Sequence, residues 1–167
     1  YTKDEVLTAL RDMDIVTLLD YLGIERDIAL EQELALKHNQ LVLDRAGVNF
    51  ITYGTKSTQI LGTGERAGVL YSFYEAFGRL PATNQDWDDV VKIATNQLPI
   101  QRSANAEQRA RDVGADDQES IMMIAYGLRP ENRSLDLERQ GLVSFVEAYG
   151  RLPGSTLDWN VLRSIVY

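Results

Sequence analysis

The stretch Tyr74–Trp87, YEAFGRLPATNQDW, is written a second time at Val146–Trp159 as VEAYGRLPGSTLDW. Each copy closes a run with apolar residues at helical spacing: Leu70, Phe73 and Phe77 in the first, Leu142, Phe145 and Tyr149 in the second. Gly78 and Gly150 then supply the residue type that ends a helix in the left-handed conformation. Pro81 and Pro153 cannot continue a helix and stiffen the exit. Thr83, or Ser155 with Thr156, is suited to cap the next helix. In that helix Trp87, Val90, Val91 and Ala94 share a face, as do Trp159, Leu162 and Ile165. The phrase is therefore the corner of a helical hairpin, built on Gly78, Arg79, Pro81 and Trp87 and again on Gly150, Arg151, Pro153 and Trp159. Each tryptophan is expected to fold back onto the preceding aromatic helix, a burial that stabilises by about 3 kcal/mol on an area basis.

The likeness extends outward. Arg79 and Arg151 stand 72 positions apart (151 − 79). ERAGVLYSFYEAFGRLP aligns with ERQGLVSFVEAYGRLP after one deletion, and ITYG at Ile51–Gly54 matches IAYG at Ile124–Gly127. LPIQRS ends at Ser103 and RPENRS at Ser134, so a middle unit with the short turn DVGADDQ lies between the copies. The reading is three hairpin units, over 51–103, 103–134 and 134–167, preceded by N-terminal helices over 1–50 that pack on them. A period of roughly 31–36 residues with two helices per unit belongs to helical-hairpin arrays, because a lone hairpin cannot bury both faces. The expected fold class is all-α, tandem helical hairpins stacked as a short array or bundle of about eight to ten helices in one compact unit.

The rest of the chain fits a helical pattern. Thr2 and Glu5 form a capping box, and Asp14 is suited to cap a helix that Gly23 ends. Glu25–Arg45 reads as one long helix with a break near His38-Asn39, and VNFITYG as a helix end rather than a strand. Thr63 is expected to cap the helix through Phe77, and the acidic pair Asp116-Asp117 to cap IMMIAYG. A further helix is expected over Ala104–Asp112. Gly68 and Gly141 are expected to allow close helix packing.

Composition narrows the function classes. The net charge of −8 lacks the basic footprint of a duplex nucleic-acid binder and disfavours docking on anionic lipid. With no cysteine, disulfides and thiolate metal sites are excluded. No apolar run approaches the roughly 18 residues of a membrane span. A first residue Tyr1, rather than Met, and the lack of a signal peptide suggest a processed or excised piece.

Candidate site residues each have a structural alternative. Arg79 and Arg151 suit a carboxylate or sugar, but equally satisfy carbonyls at a helix C-terminus or pair with Glu75 and Glu147. Trp87 and Trp159 suit stacking on sugars or peptides, but their spacing reads as core. Asp86, Asp88 and Asp89, and separately Asp112, Asp116, Asp117 and Glu119, are candidate calcium ligands. The calcium-loop spacing is absent, and helix capping explains both clusters more simply. His38 is the only histidine, so a zinc or histidine-based catalytic centre lacks its parts. LGTGERAG, with Gly62, Gly64 and Gly68, lacks the Gly-Lys-Ser/Thr ending of a phosphate loop and reads as a turn plus cap.

GERAGVLYSFYEAFGRLP…DW, IAYGLRPENRS and ERQGLVSFVEAYGRLP…DW resemble helical repeat modules of secreted or cell-surface, surface-layer-like bacterial proteins. The resemblance covers about Ile51 to Tyr167, its motifs are structural, and it carries no catalytic residue. It implies an extracellular or cell-surface location and an assembly or adhesive role. The expectation is a non-enzymatic structural module of a surface layer, filament or stalk, with no cofactor beyond possible calcium, partnered by itself or other envelope proteins. The alternative is an adhesion module that recognises protein or glycan through one face of the array.

Overall fold

A computed structural model describes residues 25–37 and 44–167. Among these residues there are eight helices and no strand. They are α1 (Ile28–Lys37), α2 (Arg45–Tyr53), α3 (Thr63–Phe77), α4 (Asn84–Ala94), α5 (Ala104–Asp112), α6 (Gln118–Tyr126), α7 (Leu135–Tyr149) and α8 (Thr156–Val166). The chain is all-α, as the corner phrases imply. The Thr2 capping box, the Asp14–Gly23 helix and the His38-Asn39 break lie outside the described residues.

Local chemistry accounts for most boundaries. Thr83 and Ser155 cap α4 and α8, and each is answered by an aspartate three residues on, Asp86 or Asp158, in a reciprocal capping box. Asp44, Ser103, Asp117 and Ser134 cap α2, α5, α6 and α7 through side-chain oxygens. Gly78 and Gly150 end α3 and α7 at φ 69° and 66°, in the left-handed region. One cap differs from expectation: Gly62, not Thr63, is the N-cap of α3, with no side-chain hydrogen bond. VNFITYG is helical, as read, but it belongs to a helix that begins at Arg45, so the long helix expected through Arg45 has a fresh start there.

The helices pair as four hairpins, α1/α2, α3/α4, α5/α6 and α7/α8. Three units were expected. The additional hairpin is α1/α2, and the expected boundary at residue 51 falls inside α2. The deletion inferred between the long copies is also absent. Both α3 and α7 have 15 residues and stay 72 positions apart from N-cap to corner. Gly68 and Gly141 are therefore not equivalent. A Cβ at Gly141 would meet Val166 Cγ1 at 2.5 Å, so that glycine lets α7 lie close on α8, whereas a Cβ at Gly68 would collide with the Arg129 guanidinium.

The core gathers around α3, which touches α2, α4, α5, α6 and α8. Its Val69, Leu70 and Phe73 are at most 1% exposed. In a straight array each hairpin meets only its neighbours. Here α8 of the fourth hairpin packs on both α6 and α3, so the array curls around its second hairpin.

Candidate functional site

The two corners place Arg79 and Arg151 against partners that the sequence reading did not name. Arg79 Nη1 and Nη2 donate to Asp86 at 2.6 and 2.8 Å, and Arg151 does the same to Asp158 at 2.7 and 2.8 Å. Glu75 and Glu147 are not these partners. The guanidinium must span the corner, and the acid that reaches back across it is the one in the capping box. Each guanidinium also lies over the aromatic ring one turn before the corner, 5.8 Å from Phe73 or 5.6 Å from Phe145. The arginine hydrogen bonds hold both aspartates well below the usual carboxylate range.

A second device closes the hairpins at the opposite end. Tyr126 ends α6, and its hydroxyl accepts from the Ser103 N–H at 2.8 Å and donates to Glu107 at 2.8 Å, while Arg102 Nε donates to the same carboxylate at 2.7 Å. Tyr167, Ser134, Glu138 and Arg133 repeat the arrangement in the fourth hairpin. Tyr53, Asp27, Glu31 and Arg26 repeat it in the first. The second hairpin departs from it, with Arg66 at the glutamate position and Thr95 at the tyrosine position. Arg66 instead donates to the carbonyls of Ile51 and Thr52, each at 2.8 Å, and to Leu61, tying the end of α2 to α3. These tyrosines are spent inside the fold. Tyr74 and Tyr149 are exposed.

A cleft of about 400 Å³ lies between the second and fourth hairpins. Arg129 and Arg133 reach it from the 127–134 connector, Arg163 and Trp159 from α8, Glu65 and Gly68 from α3, and Glu138 from α7. Arg129 is only 3% exposed, with its Nε 3.2 Å from Glu65 Oε2. Arg133 bridges Glu65 at 2.9 Å and Glu138 at 2.8 Å. Arg163 is buried, and its Nη2 donates to Asn160 Oδ1. Arg129 Nη1 and Arg163 Nε are buried without a hydrogen-bond partner. Burial, with the Arg129 charge beside it, pushes Arg163 down to about 9.

The tryptophans are less buried than expected. Trp87 is half-buried and packs on Phe50 of the previous hairpin, centroids 5.7 Å apart. Trp159 is 46% exposed and is not core. It forms part of the cleft wall; at the position from which Phe50 packs on Trp87, the hairpin before Trp159 carries Met123 in place of a ring.

The candidate calcium ligands are scattered in their roles. Asp86 is held by Arg79, and buried Asp89 accepts from the N–H groups of Ile100 and Gln101. Asp117 caps α6, while Asp88, Asp112, Asp116 and Glu119 are exposed. Among the described residues no group of three or more His, Asp or Glu side chains is placed to hold a metal ion. Within the same residues no helix is long and apolar enough to cross a membrane.

The sequence reading missed the cleft arginines. Arg129 follows α6 and Arg163 lies on α8, in unrelated local contexts, and the packing of α8 on α6 brings them together. No known family model, curated protein or solved structure matches the chain.

Proposed function

We propose that this chain is a non-catalytic assembly module of the cell envelope, part of a surface layer, filament or stalk, which associates with a second copy through the outer face of α7. The observation that carries the reading is the uncovered face of the last hairpin. Val143, Val146 and Tyr149 are 58%, 36% and 41% exposed, and Leu135 and Leu152 flank them at 70% and 68%. The counterparts of this strip in α3 are Tyr71 and Phe77, both half-buried, and Tyr74, 39% exposed, while on another side of the helix Ser72 and Ala76 are buried where Ser144 and Ala148 of α7 are exposed. Packing α7 against the same face of another copy gives a self-complementary interface and removes the apolar strip from water. The envelope location rests on the resemblance of the corner phrases to surface-layer-like repeat modules.

Light scattering on a size-exclusion column, over a wide protein concentration range, tests this. Mass is expected to grow with concentration, and the Val143→Glu/Val146→Glu variant to stay monomeric with an unchanged melting temperature. A wild-type monomer at every concentration would overturn the assembly reading. Parallel runs with calcium and with chelator would reveal whether the exposed acidic residues contribute.

A further inference from the structure

We propose that the cleft between the second and fourth hairpins binds a carboxylate carried on a compact ring, with acidic sugars as the ligand class. This goes beyond the assembly role and uses a different surface, with α8 and the 127–134 connector in place of the outer face of α7.

The charge count within the cleft points to an anion. Three guanidinium groups, of Arg129, Arg133 and Arg163, face two carboxylates, of Glu65 and Glu138. One positive charge is left over, inside a chain whose net charge is −8. Among the described residues Arg163 has no carboxylate within ion-pair distance; only Asn160 accepts from it. Arg129 is more than nine-tenths buried, and its Nη1 has no acceptor, nor has Arg163 Nε. Buried cations with idle donors are costly, and apolar residues of similar volume would fill the space at lower desolvation cost. An oxyanion beside these groups would neutralise the surplus charge and offer an acceptor to the idle donors.

A single surplus charge matches a carboxylate better than a phosphate dianion, and the guanidinium fork matches its planar pair of oxygens. Gly68 leaves room for the Arg129 guanidinium, which a side chain at that position would displace. The first turns of α3 and α8 also reach the cleft, through Gly64 and Thr156, and helix N-termini favour negative charge. The half-exposed Trp159 indole offers a flat apolar wall on which the C–H face of a sugar ring can lie. The volume of about 400 Å³ accommodates one sugar residue.

The test is titration of the full chain with glucuronate, followed by the indole N–H signals of Trp159 and Trp87 in NMR spectra. A saturable shift confined to Trp159 is expected, with glucose at least about tenfold weaker. Arg163→Met, which removes a buried cation, is expected to weaken binding by about tenfold or more while leaving the Trp87 signal in place. Should that variant fail to fold, Arg163→Lys, read at the Trp159 indole, and Trp159→Ala, read by calorimetric titration with glucuronate, carry the test, each expected to weaken binding several-fold at an unchanged melting temperature. Tighter binding of phosphate would overturn the carboxylate assignment. Tighter binding of benzoate would overturn the sugar assignment. No saturable shift with any of these probes would overturn the site.

Discussion

The corners at Gly78–Trp87 and Gly150–Trp159 are the same local machine in two surroundings. The arginine–aspartate pairs agree to about 0.1 Å, both capping boxes are closed, and both guanidinium groups lie over a phenylalanine. Beyond that they diverge. Gln101 adds a 2.8 Å hydrogen bond to Asp86, and Phe50 packs on Trp87. Of the two aspartates, Asp86 has no exposed surface and Asp158 keeps 9%. Trp159, without a ring like Phe50 against it, stands 46% exposed. The phrase thus encodes the shape of the bend, while the depth of burial is set by whichever hairpin lies next to it.

The largest separation between the two regions is expected one turn before the corner. Ala76 is 5% exposed, and Ala76→Glu would bury an unpaired carboxylate, lowering stability by about 3 kcal/mol or more. Ala148→Glu places the same group in solvent, with an expected effect within about 0.5 kcal/mol. Urea unfolding of both variants measures the difference. Equal losses would mean that α7 is covered in solution.

The corner acids come next. Asp86→Ala removes a capping partner and strips the acceptor from Arg79, Gln101 and two backbone N–H groups, so a loss of about 2–3 kcal/mol is expected. Asp158→Ala has no Gln101 counterpart to strand, and about 1–2 kcal/mol is expected. The pH dependence has a definite sign. Both aspartates have folded pKa values depressed below the unfolded value of about 4. Their contribution is therefore present above that value and is lost as pH falls from it toward the folded values. Thermal melts between pH 7 and 2 should show wild type converging on Asp86→Ala as the solution becomes more acidic. A constant gap across the range would remove the charge from the explanation.

The smallest losses are expected at the tryptophans. Trp87→Ala forfeits the Phe50 contact and half a buried ring, with an expected loss of about 2 kcal/mol. Trp159→Ala should change stability by less than about 1 kcal/mol, since the ring is largely open. Paired unfolding curves would settle the order, and a reversed order would place Trp159 in a core that only the associated protein possesses.

How much of this the sequence disclosed depends on distance along the chain. Gly78, Gly150, Thr83 and Asp117 act within four residues of themselves, and their roles were readable. The Arg–Asp pairing of the corners spans seven positions, farther than the nearest acid, so the nearer Glu75 and Glu147 were the natural choice. The tyrosine clasps were hidden although Arg26/Glu31, Arg102/Glu107 and Arg133/Glu138 share a five-residue spacing. Their tyrosines lie 22, 19 and 29 positions beyond the glutamates, an interval set by the lengths of both helices and of the turn between them. The cleft left no local trace. Arg129 and Arg163 meet through the packing of α8 on α6, and Glu65 and Gly68 join them because α8 also reaches α3 across an intervening hairpin.

The tyrosine clasp has a consequence for how such a chain grows. By pinning the last residue of a hairpin to the first, it brings the points where the backbone arrives and departs to one spot. A clasped hairpin is therefore a cassette: it can be duplicated, lost or exchanged while the flanking chain keeps its path. The second hairpin, where Arg66 grips the preceding helix instead, is the one segment that could not be copied out alone, and it is the segment around which all the others are wound.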